Sequence, residues 1–203
     1  IYKSLLRYLT AIMLVDFPIF GAGINYFPTE ISALRVFEPR YLLLIGDAIK
    51  DNKNFLVSKN LEELHQTVSE VRIIEHQDIS NAEQLIIIEC LKQHKLKKIS
   101  INSEYPLSSV EEFNEIGLPP SIDELAILEK YVSRLIAKLI ENGINLAIPE
   151  FIVTNENRLR KLHELCITTP LDLDTRYLII DENDLYKKYE ILNNFVQKQL
   201  KNL

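Results

Sequence analysis

The apolar pattern of this chain changes period once, at Gly117-Leu118-Pro119-Pro120. Before that point apolar residues come in short runs broken by turn formers. After it they recur at spacings of three and four almost to the end. A period-two stretch and a 3.6-period stretch bury different faces, so one sequence rarely serves both. The break therefore predicts an α+β chain of two parts. Residues 14–118 are expected to form a mainly antiparallel β-domain and residues 119–203 a helical bundle. Residues 1–13 form an N-terminal extension of uncertain status.

The second part carries complete helix signals. Ser121-Ile122-Asp123-Glu124 is a capping box, in which the Ser hydroxyl and Glu carboxylate each satisfy an end-of-helix N–H. Leu125, Leu128, Val132, Leu135 and Leu139 then form one stripe, and Asn142-Gly143 supplies the stop. Further helices are expected from Asn155 to Ile167, from Asp172 to Ile180 and from Asn183 towards Leu200. Four helices on short connections make a four-helix bundle.

The first part reads as about seven strands around one helix. Leu14–Phe20, Ile24–Phe27, Glu30–Phe37 and Phe55–Val57 look like strands. Thr67–Ile74 and Leu85–Cys90 are rich in β-branched and aliphatic residues and flank the polar turn Ser80-Asn81-Ala82-Glu83, which predicts a hairpin. Lys95–Ile101 and Tyr105–Phe113 add two more. Glu38-Pro39 opens a helix, since Pro at the first helical turn loses no hydrogen bond. Leu42, Ile45 and Ile49 continue it to Asp51-Asn52.

Charge excludes more than it identifies. The 23 basic and 29 acidic residues give a net charge of -6. Before Pro119 there are 12 basic and 16 acidic residues, and from it onward 11 and 13, so neither part hides a basic domain. Nucleic-acid binding rests on neutralising phosphates with Lys and Arg, so such a partner is not expected. With 5 Gly in 203 residues there is little material for phosphate loops, and no G-x-x-x-x-G-K-[ST] occurs. Lys3 and Arg7 precede the apolar run Tyr8–Val15, but the run ends in Asp16-Phe17-Pro18 without a small-x-small cleavage site. It is also far short of the roughly 20 apolar residues that span a bilayer. Cys90 and Cys166 lie far apart in apolar segments, as buried thiols do in a reducing cytoplasm. No membrane association is expected.

Few residues offer chemistry. His65, His76, His94 and His163 have no His or Cys at i, i+3 or i+4, so metal spacing is absent. Asp181-Glu182-Asn183-Asp184 lacks the spacing and Gly of a calcium loop and reads as a helix cap. Lys92, Lys95, Lys97 and Lys98 form one basic run without aromatic neighbours for base stacking. Lysines on an edge strand commonly serve to prevent self-pairing. No catalytic residue, cofactor or metal site is read from the sequence.

The motif-bearing residues are Phe17-Pro18-Ile19-Phe20, then Tyr26-Phe27-Pro28, then Leu34-Arg35-Val36-Phe37-Glu38-Pro39-Arg40-Tyr41. In order and spacing they resemble the N-terminal substrate-binding domain of Lon proteases. Thr67–Val71, Leu85–Cys90 and Tyr105–Leu107 are similar to later strands of that family, and Leu165–Leu171 with Tyr177–Ile180 to its helical part. The sequence departs from the family at Thr29 and Gln66, where Gly is usual. The turn at Thr29 is therefore expected to be of another type. The resemblance implies a PUA-like pseudo-barrel followed by a helical bundle. It also implies a stand-alone, non-catalytic protein without ATPase or Ser–Lys peptidase domains. Such a protein would recognise unfolded or extended polypeptides or protein partners, as an adaptor or regulator in proteolysis. An RNA-binding PUA-like protein is the alternative. The family motif residues Phe27, Pro28, Phe37, Glu38, Pro39, Arg40 and Tyr41 are expected to be structural or groove-forming. Arg40 is expected to anchor the helix to the sheet through an ion pair.

Overall fold

The computed structural model describes residues 16–146 and 157–202, and the expected extension at 1–13 lies outside them. The described chain divides into two compact units. One comprises the described residues up to Ile24 together with Ile31–Glu112. The other comprises Asn25–Glu30 with the described residues from Phe113 onward. Each unit is thus interrupted in sequence, unlike the single division expected at Pro119.

In the first unit the elements are β1 (Phe17–Gly21), β2 (Ile31–Val36), α1 (Pro39–Asp51), β3 (Phe55–Ser58), β4 (Thr67–Ser80), β5 (Glu83–Ser100) and β6 (Leu107–Glu112). Among the described residues the eight candidate segments yield six strands. The expected strand at Ile24–Phe27 does not form, and Lys95–Ile101 is largely a continuation of β5. Strand order is β2-β5-β4-β3-β1-β6, and β5 also pairs with β6. The strands β5, β4, β3, β1 and β6 therefore close on themselves as a pseudo-barrel, with β2 attached to β5 outside the ring. Among the described strands only β1 and β3 pair in parallel. A parallel pair needs a crossover, and the segment carrying β2 and α1 supplies it. Ile19, Leu56, Val68 and Leu96 form a fully buried cluster.

β5 reads as two strands in sequence because Gln93 and His94 interrupt its apolar pattern. Both are nevertheless buried. His94 is accommodated by a 2.7 Å hydrogen bond between its Nε2 and the Glu70 carboxylate of the neighbouring β4. One extra residue on β5, Leu91, is taken up by a register shift between Glu70 and Val71. Strand continuity here depends on a cross-strand polar partner that the local sequence does not reveal.

The second unit packs α2 (Ile122–Glu141), α3 (Arg158–Thr168), α4 (Leu173–Asp181) and α5 (Leu185–Asn202) around one core. The capping box forms as expected: Ser121 N–H donates to Glu124 Oε2 at 2.8 Å, and Glu124 N–H to Ser121 Oγ at 3.3 Å. Asp172 accepts from the Thr175 N–H at 2.7 Å. Asp184 Oδ1 accepts from the Tyr186 and Lys187 N–H groups, so the acidic cluster at 181–184 caps α5. The start expected for α3 at Asn155 lies outside the described residues.

Asn25–Glu30 belongs to this helical core. Phe27 is fully buried among Leu125, Leu162, Leu192 and their neighbours. The segment is held by Arg176 of α4, whose Nε donates to the Asn25 carbonyl at 2.9 Å and whose Nη2 pairs with Glu30. The guanidinium lies 4.8 Å from the centre of the Phe27 ring, a cation–π distance. Glu30 also accepts the Phe27 N–H at 2.8 Å, and Glu30 N–H returns to the Phe27 carbonyl at 3.1 Å. Phe27-Pro28-Thr29-Glu30 therefore has the bonding of a β-turn, with Pro at its second position and a φ of 70° at Thr29, its third. Pro followed by positive φ is the signature of a type II turn, which normally takes Gly at the third position. The turn keeps the backbone that Gly favours although the sequence places Thr there.

A β-branched residue at positive φ costs about 1–2 kcal/mol, partly offset by the entropy Gly loses on folding. Thr29→Gly is expected to stabilise the protein by about 1 kcal/mol, read as a higher urea midpoint at unchanged slope.

Candidate functional site

The family-motif residues are divided between the two units. Phe27 and Pro28 lie in the helical unit, whereas Phe37, Glu38, Pro39, Arg40 and Tyr41 lie where β2 leads into α1. Phe37, Glu38 and Tyr41 line a cleft of about 160 Å³ with Phe20, Gly21, Ala22, Leu34 and Arg35. Phe37 is 63% exposed and Tyr41 only 2%. Pro39 takes the first helical position, as its missing N–H predicts.

Arg40 does not anchor the helix. Its Nε and Nη2 reach Glu38 Oε2 at 3.1 and 2.8 Å, two residues away and in solvent, and its guanidinium lies over the Tyr41 ring. Tyr41 makes the tie to the sheet. Its ring packs on Phe20 with centroids 4.2 Å apart, and its hydroxyl accepts the Gly21 N–H at 3.3 Å. Gly21 permits that approach, since a Cβ there would meet Leu61 Cγ at 3.1 Å and the Tyr41 hydroxyl at 3.4 Å. The motif thus contains core residues and surface residues. Phe27→Ala is expected to cost about 3–5 kcal/mol in denaturant unfolding by leaving a core cavity. Phe37→Ala is expected to cost under about 1 kcal/mol, as an exposed side chain does.

A second cleft, of about 740 Å³, lies in the β-unit between the end of α1 and strand β4. Its apolar lining is Ala48, Ile49, Ile73, Ile74 and Leu91, and its polar lining is Asn52, Lys53, Asn54, Arg72, Glu75 and His76. Ile74 and Leu91 are the unpaired extra residues at two of the three register shifts of the β4–β5 ladder. Bulges re-aim side chains, and these two leave large aliphatic groups in the cleft at 42% and 38% exposure. β3 pairs with β4 only over Ser69–Val71. From Arg72 to Ser80, the β4 edge facing away from β5 has no strand partner among the described residues. The sequence reading ended this strand at Ile74 and so missed the edge. Its available signal was Ile79, one further β-branched residue before the turn.

Of the polar residues noted from sequence, His76 lines this cleft and several others are engaged elsewhere. Lys97 pairs with Glu111, Lys95 donates to the Thr67 hydroxyl at 2.8 Å, and Lys92 lies 3.6 Å from Glu70. His94 bonds Glu70, which also accepts from Asn54 at 2.7 Å, and these bonds hold the Glu70 carboxyl below its ordinary value. Gln66 closes the preceding loop through its amide, which donates to the carbonyls of Asn60 and Glu63. Among the described residues no group of three or more His, Cys, Asp or Glu side chains is placed to hold a metal ion.

In the helical unit Glu115 receives both His163 Nε2, at 3.1 Å, and Lys188 Nζ, at 3.0 Å. Burial pushes the Glu115 carboxyl up, but the bond and charge of His163 and the charge of Lys188 outweigh it and hold it at about 2, against 4.5 ordinarily. Burial pushes the nearby Cys166 thiol up to about 12, which removes it as a nucleophile. A carboxylate with a lowered folded pKa stabilises above its unfolded pKa and loses that contribution as pH falls through the folded one. Stability is therefore expected to drop by on the order of 2–3 kcal/mol between pH 4.5 and pH 2. Glu115→Gln is expected to flatten that part of a urea-unfolding pH profile.

Three comparisons bear on this arrangement. A sequence model of the ATP-dependent protease La (LON) substrate-binding domain matches residues 18–198. The fold is similar to that of a Lon N-terminal domain protein from Xanthomonas campestris, with a TM-score of 0.62 at 20% identity, covering 88% of this chain and 96% of that one. It is likewise similar to the N-terminal domain of a Mycobacterium avium complex Lon protease, with a TM-score of 0.62 at 10% identity, covering 90% and 98%. No curated protein matches the chain.

Proposed function

The chain belongs to the family of the Lon substrate-binding domain, and we propose on that premise that it recognises polypeptides without acting on them chemically, as an adaptor or regulator in proteolysis. The observation that carries this reading is the open β4 edge beside the aliphatic cleft. An extended peptide adds to such an edge by main-chain hydrogen bonds, while pockets beside the edge select alternate side chains. Ile74 and Leu91 offer that pocket two aliphatic surfaces. Each is already more than half buried, so covering the rest is worth on the order of 1 kcal/mol. No helix among the described residues is long and apolar enough to cross a membrane. Both cysteines are buried and unoxidised, which suits a cytoplasmic setting.

The test is fluorescence anisotropy with labelled unstructured peptides of alternating aliphatic and polar residues. The chain is expected to bind them, and the double substitution Ile74→Ser, Leu91→Ser to weaken binding at least about tenfold while the unfolding midpoint changes little. Failure to bind across a broad peptide panel would exclude this reading.

A further inference from the structure

Asn142-Gly143 serves the fold as a helix stop, and it is also the one place in this chain where Asn is followed by Gly. The two roles oppose each other. α2 ends in a Schellman cap, in which the Gly143 N–H donates to the Ile140 carbonyl at 2.9 Å and the Ile144 N–H to the Leu139 carbonyl at 3.0 Å. Gly143 sits at a φ of 90°, which glycine adopts without strain. Asn142 is exposed, with a φ of -82° and a ψ of 8°. The space around Gly143 is open, since a Cβ there would meet nothing within 4 Å beyond its chain neighbours.

An exposed Asn before Gly is set up to react with its own backbone. The Gly143 nitrogen, after losing its proton to hydroxide, bonds to Asn142 Cγ. The Cγ–Nδ2 bond breaks, ammonia leaves and a cyclic imide closes. Water then opens the ring. Breaking the new nitrogen–Cγ bond gives aspartate at this position. Breaking the original peptide bond gives isoaspartate, whose main chain runs through the side chain and is one methylene longer. Glycine favours the attack because it has no Cβ to obstruct it and its backbone turns freely. The resting geometry opposes it. The Gly143 N–H is engaged with Ile140, and a ψ of 8° at Asn142 holds Cβ and the Gly143 nitrogen rotated far apart about the Cα–C bond. The cap must open before the ring can close. We propose that Asn142 is a site of spontaneous modification, converting to aspartate and isoaspartate at a rate set by opening of the α2 cap. Both products act back on the helix. Each places a carboxylate at the negative end of the α2 dipole and makes the net charge of -6 one unit more negative. The extra methylene of isoaspartate displaces both amides that make the cap bonds. Leu139, which accepts one of those bonds, packs against the helical core, so the loosening starts at the edge of that core.

The test incubates the chain at mildly alkaline pH in heavy-oxygen water, folded and in urea, and follows Asn142 by peptide mapping. The folded chain is expected to take up one heavy oxygen atom at this residue. It should do so about ten- to a hundredfold more slowly than the unfolded chain, the factor that two cap bonds of ordinary strength impose. The converted fraction is expected to lose hydrogen-exchange protection at the Gly143 and Ile144 amides. Asn142→Gln, whose longer side chain closes the ring far less readily, is expected to take up no label and to keep that protection. Equal rates in the folded and unfolded chain would overturn control by the cap. A folded chain still unlabelled at Asn142 after about a hundred half-times of the unfolded one would overturn the site itself. Unchanged exchange at Gly143 and Ile144 in the converted protein would overturn the effect on the helix.

Discussion

The buried guanidinium of Arg176 organises the helical unit. It takes a six-residue segment from far upstream, Asn25–Glu30, and makes it part of the core. One bond goes to a backbone carbonyl, one to a carboxylate, and the planar face lies over the ring of Phe27. Burying such a charge is costly unless every neighbour answers it. Burial outweighs the opposing effects of Arg176 and the Phe27 N–H, so the Glu30 carboxyl titrates above its ordinary value. The pair therefore does not recover the full cost of desolvating its acid. Its value is geometric, since it specifies where Phe27 enters a core that is otherwise built from residues beyond Phe113.

The second entry into the helical unit follows the same logic with the opposite balance. The chain arrives at Phe113, and two residues later Glu115 takes a bond from His163 of α3 and an ion pair from Lys188 of α5. The bond from His163 and the charge of Lys188 overcome burial, and the group titrates low. A short parallel bridge between Ile116 and Asp184 continues the attachment. Glu30 favours the folded state at the acid end of its titration and Glu115 at the alkaline end, by the same linkage. Both chain entries are thus fixed by a buried carboxylate, and protons act on them in opposite senses.

What the sequence made legible was local. The capping box at Ser121, the stripe from Leu125 to Leu139, the Pro39 helix start and the turn at 80–83 are decided by neighbours within four residues, and they appear as read. The features that escaped are decided by partners far along the chain. Tyr26 and Phe27 have a strand-like pattern, but Phe27 packs among helices that begin far along the chain, from Ile122 onward. His94 looks like a break in a strand until Glu70 is seen opposite it. In the Glu-Pro-Arg-Tyr motif the eye goes to the charge, yet Tyr41 makes the tertiary tie and Arg40 bonds only its neighbour. The cleft was invisible because bulges are set by register between strands, and a single strand's sequence carries no register.

The segment Asn25–Glu30 also has a consequence for the order in which the protein is made. A ribosome releases chains from the N-terminus, and units generally fold as they emerge. The strands of the β-unit are all available once Glu112 is out. Phe27 is synthesised well before its counterparts on α4 and α5. Until those helices emerge its side chain has no core to enter. The nascent chain thus carries an exposed aromatic group of its own until Arg176 arrives.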